Sequence, residues 1–345
     1  MSSSVSMHGQ GLVDYDYHRL KAVKEAVSES SYLYHEVCRT IEFLHDLQKT
    51  RDDVPNGQLS DQSAFHLDSS GFPVFYFLNL KSREDRRKLI QRIAAKLSIN
   101  PAFISAIHGA SSDLAKSIYE DNKEYAKTLV ANVPEHGIQY SISAYKDYGS
   151  VPSRERYFYE KWNQKLLSLG SIGYLLSYRK ALIDASVNQR LSVSDFIVIC
   201  DDDVRPHTDF WAIWQEAWKQ VSGLDPMIIS LGAMQYFWNE KDISWISNNI
   251  YRCNGTSIAS HATMIHKTLV PEFVQLIDDS TLPLDIGALH YLKRKYASQT
   301  FVVFPNLFIQ DVSESDIADT ANQSNEGVKE DNIFRWKLSD YCFNI

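Results

Sequence analysis

Asp201, Asp202 and Asp203 follow directly on Phe196-Ile-Val-Ile-Cys200, a run of apolar and β-branched residues, and Pro206 bends the chain soon afterwards. Such a run reads as a buried strand, and its end delivers three carboxylates to the edge of a sheet, where ligands bind in open α/β folds. Adjacent carboxylates repel one another, so folding alone does not favour the arrangement. A hard divalent cation relieves the repulsion, because Mg²⁺-type ions take oxygen ligands and keep positions open for substrate phosphates. The competing reading is a solvated acidic turn after a strand. The chemistry expected here is metal-assisted handling of a phosphorylated ligand.

The elements that must position these carboxylates are legible around them. Val74 to Leu80 reads as a buried strand, and Leu89, Ile90, Ile93, Ala94 and Leu97 give the next segment a helical apolar face. Ser82 followed by Asp85 resembles a capping pair at the start of that helix. A strand-like Phe103 to Ile107 follows, which makes the opening of a parallel α/β sheet. Ile172 to Val187 reads as a helix, and Met227 to Leu231 and Thr300 to Phe304 as further strands. Trp211, Trp214 and Trp218 lie at helical spacing and are read as core packing rather than as a sugar platform.

Composition sets outer bounds. The chain has 345 residues, 44% hydrophobic and 23% charged, as expected for a globular protein of one large α/β domain with additions or of two domains. A formal net charge of −8 argues against nucleic acid as a partner. Cys38, Cys200, Cys253 and Cys342 show no metal or disulfide spacing. No apolar run reaches the length of a membrane span and no secretion signal is evident, so the expectation is a cytoplasmic protein without an integral membrane segment. Residues 1–70 read as a helical extension and linker, residues 71–319 as the main domain, and residues 320–345 as a tail packing on it.

Several separated segments, in order, resemble the family 25 glycosyltransferases, the group containing bacterial lipooligosaccharide galactosyltransferases and collagen galactosyltransferases. Phe77-Leu-Asn-Leu-Lys-Ser-Arg-Glu-Asp-Arg-Arg87 is similar to the family's opening strand and its Asn-Leu…Arg-x-Asp-Arg signature. Gly170-Ser-Ile-Gly-Tyr-Leu-Leu-Ser-Tyr-Arg179 resembles its Gly-Glu-Ile-Gly-Cys…Leu-Ser-His segment, and Ile199-Cys-Asp-Asp-Asp-Val204 stands where the family has Leu-Glu-Asp-Asp-Val. Ser260-His-Ala-Thr-Met-Ile-His-Lys267 is similar to its Thr-His-Ala-Tyr-Ile-Ile-Ser-Lys element. Weaker matches follow at Leu282-Pro-Leu-Asp285 and Gln310…Ser315-Asp-Ile317. The chain departs from the pattern at Ser171, Tyr178, Asp201 and His108, which leaves donor and acceptor preference open.

The resemblance implies a GT-A type, Rossmann-like fold and an inverting transfer of a hexose, galactose above all, from a UDP-sugar to a saccharide acceptor such as a lipooligosaccharide. That acceptor would bring the protein to a membrane surface peripherally. Mn²⁺ or Mg²⁺ would be held by Asp201 and Asp203, with His261 as a candidate third ligand. The nucleotide-sugar would meet Asn79, Arg83, Arg86, Gly109, Ser177, Asp201 and Asp202. Single displacement needs a base for the acceptor hydroxyl. Asp285 is the candidate, whereas Asp278 and Asp279 read as solvated or capping. Two other classes stay open: a non-catalytic nucleotide-sugar or glycan-binding module, and a nucleotidyltransferase using the triple Asp for two metals.

Overall fold

The computed structural model describes residues 74–99, 101–129, 168–187, 196–235, 238–240, 243–253, 257–278, 280, 282–311 and 334–343. The helical extension expected over residues 1–70 and most of the segment 111–168 lie outside these. Apart from residues 184–187, the described residues belong to one compact unit.

The first strand, β1 (Phe75–Asn79), is buried at every position. It leads into helix α1 (Glu84–Leu97), which buries Ile90, Ile93, Ala94 and Leu97, the face expected from their spacing. The Ser82–Asp85 capping pair does not form. Arg83 takes the N-cap position without a side-chain cap, and its guanidinium binds Asp85 instead, at 3.0 and 3.1 Å. Strand β2 (Pro101–Ser105) pairs with β1 in parallel, and β1 pairs in parallel with β3 (Phe196–Asp201) on its other side. Between them in sequence come α2 (Asp113–Leu129) and α3 (Leu169–Val187).

Beyond β3 the sheet becomes mixed. A short strand β4 (Val204–Pro206) leaves the turn that holds Asp202 and Asp203, and α4 (Phe210–Val221) follows. Then come β5 (Ile228–Gln235), the hairpin of β6 (Ile243–Trp245) and β7 (Ile250–Cys253), and β8 (Ser257–His266). Helices α5 (Val270–Asp278) and α6 (Ala288–Lys295) precede β9 (Thr300–Val303) and β10 (Phe308–Gln310). The eight-stranded sheet has the order β2-β1-β3-β8-β5-β9-β7-β6, while β10 pairs with β4 in a separate ribbon. Only β8 and β7 run against the rest, because β8 is antiparallel to both β3 and β5, and β7 to both β9 and β6. This is an α/β, Rossmann-like sheet with most strands running one way.

One face of the sheet buries Phe75, Phe77, Val198, Cys200 and Leu231 against α1 and α4. Trp214 is fully buried there and stacks on Trp218 with ring centroids 5.3 Å apart, and the Trp211 indole donates to the Leu97 carbonyl at 2.9 Å. The tryptophan stripe is core, as its spacing suggests. The aromatic C-terminal segment packs on the body: Tyr341 bridges to His207, its hydroxyl donates to the Asn306 carbonyl at 2.9 Å, and Trp336 packs with Ile309.

Candidate functional site

The strands β1 and β3 end side by side, so Asn79 and the Asp201–Asp203 turn meet at the carboxyl edge of the sheet. Asp202 is buried and fully engaged. One oxygen accepts from the Asn79 amide at 2.8 Å, and the other pairs with the Arg86 guanidinium at 2.8 Å. Asp202 is therefore not a solvent-facing carboxylate but the anchor that ties α1 to the turn. Arg86 also reaches Asp203 at 3.7 Å. Of the basic residues at the start of α1, Arg86 alone lines the cavity described below, whereas Arg83 is committed to Asp85.

Asp203 is held by the β4–β10 ribbon. Gln310 donates to one of its carboxylate oxygens at 3.2 Å, and its backbone carbonyl accepts from Asp311 N–H at 2.9 Å. The second carboxylate oxygen, Oδ1, is buried with no hydrogen-bond partner among the described residues. Asp201 accepts from the Tyr174 hydroxyl at 2.9 Å, and the same hydroxyl lies 2.9 Å from Ser260 Oγ. Burial raises the Asp201 carboxyl well above the ordinary range, and the neighbouring Asp203 charge adds to the rise against the Tyr174 hydrogen bond. Burial likewise raises Asp203, with Arg86 opposing it and Asp202 reinforcing it.

These carboxylates face a cavity of about 590 Å³. Its opposite wall is the loop after β2, from Ala106 to Ala110, and the start of α3 at Ser168, Leu169 and Gly170. Two glycines let that loop lie on the helix. A Cβ on Gly109 would fall 1.7 Å from the Leu169 carbonyl oxygen, and one on Gly173 would fall 2.5 Å from that of Ile107. Ser177 clamps the same contact, accepting from the Ile107 N–H at 2.8 Å and donating to the Gly173 carbonyl at 2.6 Å. Its hydroxyl is thus spent on holding the wall. Where α3 starts against the cavity, the Ser168 hydroxyl caps it by accepting from the Ser171 N–H at 3.1 Å.

His261 and Asp285 are not gathered with the triple Asp. His261 is buried on β8, and Nε2 lies 3.3 Å from the Phe308 carbonyl over Gly232, where a Cβ would fall 2.2 Å from that nitrogen. It does not line the cavity. Asp285 is half-buried, and its carboxylate accepts from the Ala259 N–H at 3.3 Å, next to the start of β8. Burial raises its pKa, partly countered by Lys293. Asp278 is paired with Arg179 at 2.6 Å. Asp279 lies outside the described residues.

The donor set of this site suits one kind of metal ligation. Among the described residues no cluster of three or more His, Cys, Asp or Glu is gathered to form a closed cage. Asp201 and the unpaired oxygen of Asp203 do fit a hard divalent ion that takes one or two carboxylates and fills its remaining positions from phosphate and water. Tyr174, Ser260 and Gln310 were not singled out from the sequence. Tyr174 stands where the family segment has Cys, a signal that the sequence carries but that the departures named at Ser171, Tyr178, Asp201 and His108 do not include.

A mixed Rossmann-like sheet with buried carboxylates at its carboxyl edge, facing a cavity walled by a helix start, is the place where α/β folds of this kind bind ligands. The model of glycosyltransferase family 25 (LPS biosynthesis protein) matches residues 72–282, more than half of the sequence. The chain belongs to that family of glycosyltransferases. The match ends at Leu282, so Asp285 and the elements around Gln310 lie outside it. No curated protein matches the chain. No helix among the described residues is long and apolar enough to cross a membrane.

Proposed function

We propose that this glycosyltransferase moves a hexose, galactose as first choice, from a UDP-sugar to a saccharide acceptor such as a lipooligosaccharide, with inversion at the sugar carbon and with Mn²⁺ or Mg²⁺ bound. The reading is carried by one observation: the buried Asp203 oxygen without a partner, beside Asp201 at the wall of a cavity. Asp203 and Asp201 hold the divalent ion. When bound, that ion supplies charge stabilisation to the leaving diphosphate.

The chain's own groups do the rest. Asn79 and Arg86 fix Asp202, and through it the turn, so that Asp203 and Asp201 keep their spacing as ligand binds. Tyr174 holds Asp201 and excludes water from its inner side. The wall of Gly109 and the start of α3 receives the anionic part of the donor. Asp285, raised by burial, takes the proton of the acceptor hydroxyl, a task that favours a pKa moved toward neutrality. A family member lacking transfer activity would bind a nucleotide-sugar without turning it over.

The test is calorimetric titration of UDP with and without Mn²⁺, followed by UDP release with a panel of nucleotide-sugars. The expected result is binding that needs the ion and that Asp203→Asn largely abolishes. Equal UDP affinity in both conditions would remove the metal from the reading. Tight binding with no UDP release from any donor–acceptor pair would favour the non-catalytic alternative.

A further inference from the structure

Leu224 and Trp245 are the large apolar side chains left exposed among the described residues, and Trp245 is 45% exposed. Trp245 does not stand alone. Its ring stacks on Trp238 with centroids 6.4 Å apart and planes at 21°, and it packs on Tyr251 at 5.1 Å and edge-on to Phe304 at 5.4 Å. Trp238 in turn contacts Tyr251 and Phe304. Four aromatic rings therefore brace one another, with the outermost indole partly in solvent. At the border, the exposed Arg335 lays its guanidinium over Trp238, 4.3 Å from the ring centroid.

The topology places this shelf in line with the candidate site. Trp245 pairs with Tyr251, and Tyr251 with Val302 near the end of β9. Strand β9 is parallel to β5, and β5 and β3 both run antiparallel to β8, so β9 ends at the same edge of the sheet as Asp201. The face is also shared. Val302 pairs with Ser230, Ser230 with Thr263 and Thr263 with Ile199, so the cluster of Tyr251, Cys253 and Val302 with Trp238 and Phe304 lies on the face of Ile199 and, two residues on, of Asp201. Between β8, where Asp285 is anchored, and β6 lie four strand spacings, on the order of 20 Å.

We propose that Trp238, Trp245, Tyr251 and Phe304, bordered by Arg335, form a saccharide-binding subsite for a sugar residue of the acceptor remote from the transferred hexose. The inference rests on the glycosyl-transfer reading above. The negative face of an indole attracts the C–H bonds on the flat side of a pyranose, as it attracts other positive groups. The guanidinium offers several N–H donors to sugar hydroxyls. Bracing by three further rings means that little side-chain freedom is lost on binding. A single sugar cannot span from this shelf to Asp285, so the subsite favours oligosaccharides, and its remote binding energy can be used at the reacting end.

The experiment uses the full chain labelled with 5-fluorotryptophan, with the Trp245 resonance assigned from Trp245→Phe. The probes are β-linked gluco- and galacto-oligosaccharides of two to five residues, with methyl glycosides as one-residue controls. The expected result is a saturable shift of the Trp245 signal that tightens with chain length, with oligosaccharide binding by calorimetry at least 10-fold weaker in Trp245→Ala, which lacks the reporter ring. Calorimetric UDP binding, measured in parallel, should be the same in wild type and variant, which also shows that the variant is folded. No shift with any oligosaccharide, or the same affinity in Trp245→Ala, overturns the subsite. A change of oligomeric state in Trp245→Ala by sedimentation, without an oligosaccharide shift, would assign the shelf to a contact between copies and overturn it too. Oligosaccharide binding without UDP binding would leave the subsite standing and remove the donor reading instead.

Discussion

The Tyr174 hydroxyl donates to Asp201 Oδ1 at 2.9 Å, joining the first turns of α3 to the end of β3. This bond lies in a partly buried setting, and it opposes the rise that burial imposes on the Asp201 carboxyl. Tyr174→Phe keeps the ring and removes the bond. Stability should fall by about 1–2 kcal/mol, the cost of leaving a buried acceptor without its donor. Urea unfolding at pH 7 measures it, and an unchanged midpoint would mean that water replaces the hydroxyl.

Arg86 is the cation that Asp202 and Asp203 share, and its side chain is 11% exposed against 9% for each carboxylate. Arg86→Met should cost about 3–5 kcal/mol, because it strands buried charge rather than removing a surface pair. Arg83→Met should cost far less, since the Arg83–Asp85 pair lies at the surface, with Asp85 exposed. Comparable losses in the two variants would show that Arg86 does not anchor the turn.

Within a helix, Gly→Ala ordinarily stabilises by about 0.5–1 kcal/mol. Gly173→Ala should do the opposite, because the new Cβ meets the Ile107 carbonyl oxygen at 2.5 Å and the Gly109 nitrogen at 2.7 Å, both backbone atoms. Thermal unfolding and UDP calorimetry should both show a loss, since the displaced loop is the cavity wall. A stabilised variant would mean that the loop moves aside freely.

His261 supplies a pH dependence with a definite sign. Burial lowers its folded pKa to about 4, below the 6.5 of an ordinary histidine. As pH falls, the unfolded chain takes up the proton first. The stability from keeping His261 neutral is therefore fully present above about pH 6.5 and is lost between there and about pH 4. His261→Asn should lose less stability than wild type between pH 7.5 and 4.5, measured by urea unfolding. Parallel losses in the two proteins would place the acid sensitivity elsewhere.

Asp285→Asn should leave UDP affinity nearly intact and reduce transfer by ~10²-fold or more, the scale of a lost general base. Asp278→Asn is the control, because that carboxylate is occupied by Arg179. Steady-state kinetics at saturating acceptor is the measurement. A raised acceptor KM with full turnover would reduce Asp285 to an acceptor contact.

What the sequence determined by itself is local. The apolar runs at Phe75–Asn79 and Phe196–Asp201 are strands, and the periodic face of Glu84–Leu97 is a helix, because burial of those side chains demands that conformation wherever the segments dock. The stretch of carboxylates after an apolar strand was enough to locate the candidate site. Other features needed the tertiary structure. Asn79 and Asp202 are 123 residues apart, and their contact exists because β1 and β3 pair in one register. The antiparallel insertion of β8 between β3 and β5 sends His261 to the Phe308 carbonyl rather than into the cavity, and no local pattern encodes that register. The Asp203 oxygen without a partner, the closed wall at Gly109 and the aromatic shelf at Trp245 depend on which segments pack together. Propensity and spacing describe the surface each segment offers; which surfaces meet is decided by the pairing of distant strands.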